Sequence, residues 1–99
     1  MKLAFHPEAV AEARAARMWY AEQSPAAAEA FMKELDIGIE KIIANPETRS
    51  AYVAGTRRYF FRFFPFAIVY RERSSSIEII AVAHGRRRPG YWKDRLKAD

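Results

Sequence analysis

The sequence contains no cysteine and only two histidines, His6 and His84. Without cysteine, disulfides, thiolate nucleophiles, iron–sulfur clusters and cysteine zinc sites are all excluded. The two histidines lie near opposite ends of the chain with no HxH or HExxH spacing, so no metal site is predicted. No cofactor is predicted either, because P-loop and GxGxxG motifs are missing and a chain of 99 residues has room for little more than one core.

Long apolar runs are also missing. No stretch approaches the ~20 apolar residues that a membrane helix needs, and the N-terminal segment lacks the apolar core of a signal peptide. These absences predict a cytoplasmic protein that makes no membrane contact. A paired-carboxylate mechanism is not supported, because residues 51–99 contain only four acids. The GxSxG elbow of serine hydrolases is absent as well.

Arginine, in contrast, is abundant: the chain has twelve Arg and five Lys. Residues 1–50 carry six basic against eight acidic side chains, a net charge of −2, whereas residues 51–99 carry eleven against four, a net charge of +7. The planar guanidinium fork suits phosphate and carboxylate groups. The second half therefore predicts an anionic partner, either a nucleic acid or an acidic protein segment.

Hydrophobic periodicity predicts one α+β domain over residues 1–99, in which a helical hairpin packs on one face of a small, mainly antiparallel sheet. Pro7 and Pro25 each suit the first position of a helix, and Ser24 suits the N-cap of the second. So short a connection makes the two helices an antiparallel hairpin. The predicted elements are a strand over 2–5, a helix from Pro7 to about Gln23, a helix from Pro25 that ends at Asn45-Pro46, strands over 57–64, 67–73 and 77–83, and a short helix from Tyr91 in the tail.

Side-chain alternation assigns faces to the strands. In the strand over 57–64, it places Tyr59, Phe61 and Phe63 on one face and Arg58, Phe60 and Arg62 on the other. In the last strand, Ile79 and Ile80 point to opposite faces. This predicts a central strand that is covered on both sides over part of its length.

Chemistry-bearing residues cluster after the last strand. Guanidinium groups beside aromatic rings can bind phosphates and stack on bases. Metal-free RNA cleavage needs a base, a cation and an acid, and these roles suit His84, Arg86 and Tyr91. Structural interpretations are also open: a solvated arginine turn, a hydrogen-bonded histidine and aromatic anchors for the tail. The cluster comprises His84, Arg86, Arg87, Arg88, Tyr91 and Trp92.

Three segments are informative in combination: FRFFPFAIVYRE at residues 61–72, IEIIAVAHGRR at residues 77–87 and RRPGYWKDR at residues 87–95. With the order of elements, they make nearly the whole chain resemble the RelE/ParE superfamily of toxins from type II toxin-antitoxin systems. The resemblance implies a hetero-oligomeric complex with a cognate antitoxin that is acidic, DNA-binding and partly disordered and that folds around the toxin.

The superfamily divides by target. RelE-like members cut mRNA in the ribosomal A site with basic residues on the sheet, whereas ParE-like members inhibit DNA gyrase and are not nucleases. On this sequence the RelE-like sheet lysines fall near Phe60 and Arg62, and the sheet arginine falls near Ala67. Two cations of that pattern are therefore missing, which weakens the stabilisation of a phosphorane-like transition state.

The resemblance places the arginine after the last strand at Arg86 and the tail tyrosine at Tyr91 or Trp92. Because of the missing cations, the sequence favours a gyrase-inhibiting binding protein over an enzyme. Two alternatives stay open: a ribosome-dependent mRNA endoribonuclease, with His84, Arg86 and Tyr91 as catalytic residues, and a non-toxic partner-binding module of the same fold. The residues predicted to bind the target are Arg62, Arg86, Arg87, Arg88, Tyr91 and Trp92.

Overall fold

The structure is a computed structural model that describes residues 2–97. The last two residues of the predicted tail, 98 and 99, lie outside the described residues. Within residues 2–97, no helix has both the length and the apolar character needed to cross a membrane. The elements are β1 (Lys2–Phe5), α1 (Pro7–Gln23), α2 (Pro25–Ala44), β2 (Arg57–Phe60), β3 (Phe66–Arg73), β4 (Ser76–His84) and two short 3-10 helices, Val53–Gly55 and Lys93–Lys97.

Both long helices begin and end where the sequence predicts. The ring Nδ1 of His6 accepts the N–H of Glu8 at 3.0 Å and caps α1, with Pro7 following as its first residue. Ser24 is the one extended residue between the helices. Its N–H donates to the carbonyl of Tyr20, and its hydroxyl oxygen accepts the N–H of Ala27 at 3.1 Å. The backbone N–H of Ser24 thus ends α1, and its side chain caps the start of α2.

The helices cover one face of a four-stranded sheet with the order β1-β4-β3-β2. β1 runs parallel to β4, and the other two pairings are antiparallel, so the predicted α+β fold with a mainly antiparallel sheet is confirmed. α1 packs on β4 and α2 on β2. The core between helices and sheet contains Ala9, Ala16, Phe31, Leu35, Ile42, Phe61, Ile68, Tyr70, Ile77, Ile79 and Val82.

Gly38 allows α2 to approach β2 closely. A Cβ atom at this position would lie 2.8 Å from the Tyr59 ring and 2.9 Å from the Ile68 side chain. These distances are too short for van der Waals contact, so any larger residue would push the helix away from the sheet.

β4 has two apolar faces and contains a β-bulge in its pairing with β3. Val69 of β3 lies opposite Ala81, but Tyr70 lies opposite Ile79, which leaves Ile80 as an extra residue on β4. Ile79 belongs to the core under the helices, whereas Ile80 packs with Val69 and Ala81 in a second cluster on the other face. The prediction that Ile79 and Ile80 point to opposite faces is confirmed.

The predicted strand over 57–64 is wrong in its second half. Pairing ends at Phe60, opposite Ala67, after which the N–H of Phe61 donates to the carbonyl of Phe66 at 2.9 Å and the chain turns. Phe61 is buried, but Phe63 is 74% exposed and does not share its face as the alternation predicted. The turn interrupts the alternation, and Pro65 has no N–H with which to continue a ladder.

Candidate functional site

The sheet face opposite the helices is open along its centre. Directly paired residues share a face, so Phe60, Ala67 and Ala83 form one row across three strands. Arg58 and Val69 belong to the next row on the same face. Because the central side chains are small, a cavity of about 350 Å³ remains, which we call the sheet groove. Its floor is Ala67, Val69 and Ala83, one wall is Tyr52, Arg58 and Phe60, and the other wall is Arg87, Arg88 and Tyr91.

Two guanidinium groups of the sheet groove rest on aromatic rings. Arg58 lies over the Tyr52 ring, 3.6 Å from its centroid, and 4.8 Å from the Phe60 centroid. On the opposite wall, Arg87 lies 3.8 Å from the centroid of the Tyr91 ring. Ring faces attract and orient guanidinium planes. Among the described residues that line the groove there is no Asp or Glu, so the groove presents positive charge without an internal counter-ion.

Glu12 of α1 holds the tail against the sheet. Its carboxylate accepts the N–H of Val82 at 2.9 Å, the hydroxyl of Tyr91 at 2.7 Å and the guanidinium of Arg95 at 2.8 and 3.0 Å. Arg95 also donates to the carbonyl of Ile80 at 3.0 Å. Since β1 pairs with β4 only as far as Ile79, Glu12 and Arg95 satisfy the backbone of β4 beyond the point where β1 ends.

The hydroxyl of Tyr91 therefore already donates its hydrogen bond within the protein, to Glu12. Burial raises the pKa of the Tyr91 phenol well above its usual range, and the hydrogen bond to Glu12 raises it further. A phenol that already donates to a carboxylate and holds its proton this strongly is a poor general acid.

His84 also makes a hydrogen bond that limits its chemistry. Its Nδ1 accepts the backbone N–H of Arg86 at 3.0 Å, and its ring packs edge-to-face on Phe66 with centroids 5.0 Å apart. Because Nδ1 accepts, a neutral ring carries its proton on Nε2 and has no free lone pair there. In this arrangement His84 fixes the first turn of the arginine loop.

The predicted target-binding residues do not all line the same cavity. Arg87 and Arg88 are exposed on the wall of the sheet groove. Arg86 faces a neighbouring cavity of about 570 Å³, shared with Trp19 and Tyr20 on the helix side. Arg62 lies on the turn after β2, with its guanidinium over the Phe63 ring at 5.2 Å, and does not line the sheet groove.

Trp92 needs a correction. The prediction includes it among the target-binding residues, but the side chain is 2% exposed and packs with Val69, Ile80 and Ala81 in the second cluster. A side chain this deeply buried does not offer its ring to a base. Trp92 is a structural anchor, which is one of the two interpretations that its sequence position allows.

The wall formed by Tyr52, Arg58 and Phe60 is not among the site residues that the sequence predicts. Alternation correctly placed Arg58 and Phe60 on one face, and Phe60 is 62% exposed there. The alternation thus indicated this face, but an arginine on an edge strand also has an ordinary role in preventing aggregation. Tyr52 lies in a loop without periodicity, and no local pattern connects it to the groove.

The residues 2–97 contain no group of three or more His, Cys, Asp or Glu side chains that could hold a metal ion. The resemblance expected cations on the sheet near Phe60 and Ala67. The structure has an exposed ring at Phe60 and a buried methyl group at Ala67. The charged and aromatic side chains on the two walls of the groove can thus contact anions and flat rings. The floor of the groove has no charged side chain that could stabilise a reacting group.

The fold of this chain is similar to that of a known protein. A solved structure of the chromosomal ParDE toxin-antitoxin system from P. aeruginosa matches with a TM-score of 0.64 and 20% identity, over 85% of this chain and 95% of that chain. At this identity the likeness defines the fold, which is the α+β fold of that system. A search of curated proteins found no match.

A family model described as the ParE toxin of the type II toxin-antitoxin system parDE matches residues 3–89. This range covers both helices and, apart from Lys2 at the start of β1, all four strands. The chain belongs to this family of ParE toxins.

Proposed function

We propose that this protein is a toxin that binds and inhibits DNA gyrase and that a cognate antitoxin neutralises it. The observation that supports this most directly is the match to the ParE toxin family over residues 3–89. In the superfamily that the sequence resembles, ParE-like members inhibit gyrase by binding it.

The geometry of the candidate catalytic residues favours binding over RNA cleavage. His84 uses Nδ1 to accept the N–H of Arg86, and Tyr91 donates its proton to Glu12. Arg86 faces the helix-side cavity and not the sheet groove. A base, an acid and a cation must converge on one phosphate for cleavage. These three side chains are instead engaged separately, and this supports a binding protein.

The charge distribution supports an acidic antitoxin. The net charge of +7 in residues 51–99 offers several exposed arginines for carboxylates on a partly disordered segment. The partner that we propose also binds DNA and forms a hetero-oligomeric complex with the toxin. Co-expression of the adjacent gene product, followed by size-exclusion chromatography at low and high salt, tests this part of the proposal.

The target is tested with two purified systems. We expect the antitoxin-free protein to block supercoiling of relaxed plasmid by gyrase and to leave mRNA intact in a reconstituted translation reaction. Cuts at codons in the A site that disappear with Arg86→Ala would establish a ribonuclease and overturn the proposal. No effect in either system, together with harmless expression, would identify a non-toxic module of the same fold.

A further inference from the structure

We propose that the sheet groove binds a nucleotide unit, with the base on the exposed ring of Phe60 and the phosphate on the guanidiniums of Arg58 and Arg87. The inference goes beyond the proposed gyrase inhibition, because it concerns a ligand that the isolated chain can bind without gyrase or antitoxin. It rests on the shape, the exposed ring and the charges of the groove.

The first argument is an aromatic ring that the fold leaves mostly exposed. Phe60 is 62% exposed on the open face of β2, although large apolar side chains are normally buried. Its row across the sheet continues to Ala67 and Ala83, whose small side chains leave space for a flat ring beside it. Stacking on an exposed ring accepts any base, because every base has a π face.

The second argument is a pair of oriented cations on opposite walls. Arg58 is held by the rings of Tyr52 and Phe60, and Arg87 by the ring of Tyr91. A guanidinium whose plane is already fixed loses less entropy when it binds a phosphate. None of the described lining residues is acidic, so neither arginine is neutralised within the groove.

The third argument concerns the kind of ligand. The volume of about 350 Å³ is at the lower end of small-molecule sites, which span roughly 300–1,000 Å³. A ligand of this size needs a planar apolar part for the floor and Phe60, and an anionic part for the rims. A nucleotide combines both in one unit, either free or as part of a single strand, whereas an acidic peptide side chain supplies only the anion.

Fluorescence anisotropy with 5′-labelled single-stranded DNA and RNA oligonucleotides at low salt tests the site. Adenosine monophosphate, inorganic phosphate and a polyglutamate peptide serve as competitors. The test variants are Phe60→Ala and Arg87→Gln. The matched controls are Phe63→Ala, an exposed ring outside the groove, and Arg73→Gln, an exposed arginine about 20 Å away along β3.

We expect affinity to fall about tenfold or more with each test variant and less than about twofold with each control. Adenosine monophosphate should compete at much lower concentrations than inorganic phosphate or the peptide. If it competes as well as an unlabelled oligonucleotide, the ligand is a free nucleotide. If oligonucleotides compete at far lower concentrations, the ligand is a unit within a strand.

Equal losses with Arg87→Gln and Arg73→Gln would mean that binding reflects overall charge, and would overturn the proposal. Undetectable binding, or equal competition by phosphate or the peptide, would overturn it as well. The supercoiling assay is scored separately, so failure of nucleotide binding leaves gyrase inhibition standing. The DNA oligonucleotide has no 2′-hydroxyl to react, which keeps binding distinct from any RNA cleavage.

Discussion

Trp92 and Tyr91 are neighbours in the chain but serve different purposes. Trp92 fills the second cluster under the tail, whereas Tyr91 joins the tail to α1 through Glu12 and supports Arg87 on its ring. The aromatic pair therefore positions the arginine loop, and only Tyr91 borders the open part of the groove as a partly exposed side chain.

Trp92→Ala should lower the free energy of unfolding by about 3–5 kcal/mol, because it removes a large buried ring. Phe63→Ala, which truncates a ring that is 74% exposed, should change it by less than about 0.5 kcal/mol. Urea unfolding measures both. A Trp92→Ala protein of unchanged stability that no longer binds its target would restore the target-binding role predicted from the sequence.

The phenols of Tyr70 and Tyr91 predict a loss of stability at high pH. Burial raises the pKa values of Tyr70 and Tyr91, so the folded protein keeps these protons beyond pH ~10, where the unfolded chain releases them. Stability should be unaffected by these phenols below pH ~10 and should fall above it, by at most about 1.4 kcal/mol per pH unit for each phenol. Urea unfolding between about pH 9 and 11.5 should show a shallower fall in Tyr91→Phe. An identical slope would contradict this assignment.

At the scale of elements, the turn after β2 depends on α2. The carboxylate of Glu34 accepts the N–H of Arg62 at 2.7 Å and that of Phe63 at 3.1 Å. This helix side chain replaces the strand partner that these amides lack after Phe60, and it keeps the end of the groove wall in place.

Glu34→Ala should destabilise the protein by about 1 kcal/mol and accelerate amide hydrogen exchange at Arg62 and Phe63. Glu29→Ala, an exposed position on the same helix, is the matched control and should change neither. Hydrogen exchange followed by NMR measures the effect at each amide. Unchanged exchange at Arg62 and Phe63 in Glu34→Ala would show that the turn is held by its own packing.

At the scale of the whole molecule, positive and negative charges are concentrated in different parts of the fold. The exposed loop after β4 carries three consecutive arginines, while the surfaces of α1 and α2 carry most of the acids. Such a distribution orients an anionic partner before contact and makes association depend on salt.

Replacing Arg86, Arg87 and Arg88 together with glutamine should weaken gyrase inhibition about tenfold or more and reduce its salt dependence. Stability should change by less than about 0.5 kcal/mol, because all three side chains are exposed. The control with equal charge change replaces Arg14, Arg17 and Arg73, which are also exposed. The supercoiling assay at two salt concentrations compares them. Equal weakening in both triple variants would exclude a localised target-binding loop.

Local patterns were sufficient for most elements of the fold. The helices begin at Pro7 and Pro25, and Ser24 separates them, because proline and capping preferences act within one turn of helix. The predicted strand over 57–64 was too long. Its side-chain alternation continues in the sequence after Phe60, but pairing with β3 ends at that residue. Pairing is a property of two segments, and one segment cannot reveal where it stops.

The sequence by itself determined the helical hairpin, the two-faced last strand and the excess of arginine after it, since each follows from neighbours a few positions apart. Only the tertiary structure decided that β1 pairs parallel with β4, that Glu12 binds residues 70 or more positions away, and that Arg58 faces Arg87 across a groove. These contacts are formed by packing and by the need to satisfy buried polar groups. Sequence spacing carries no record of which distant partner meets that need.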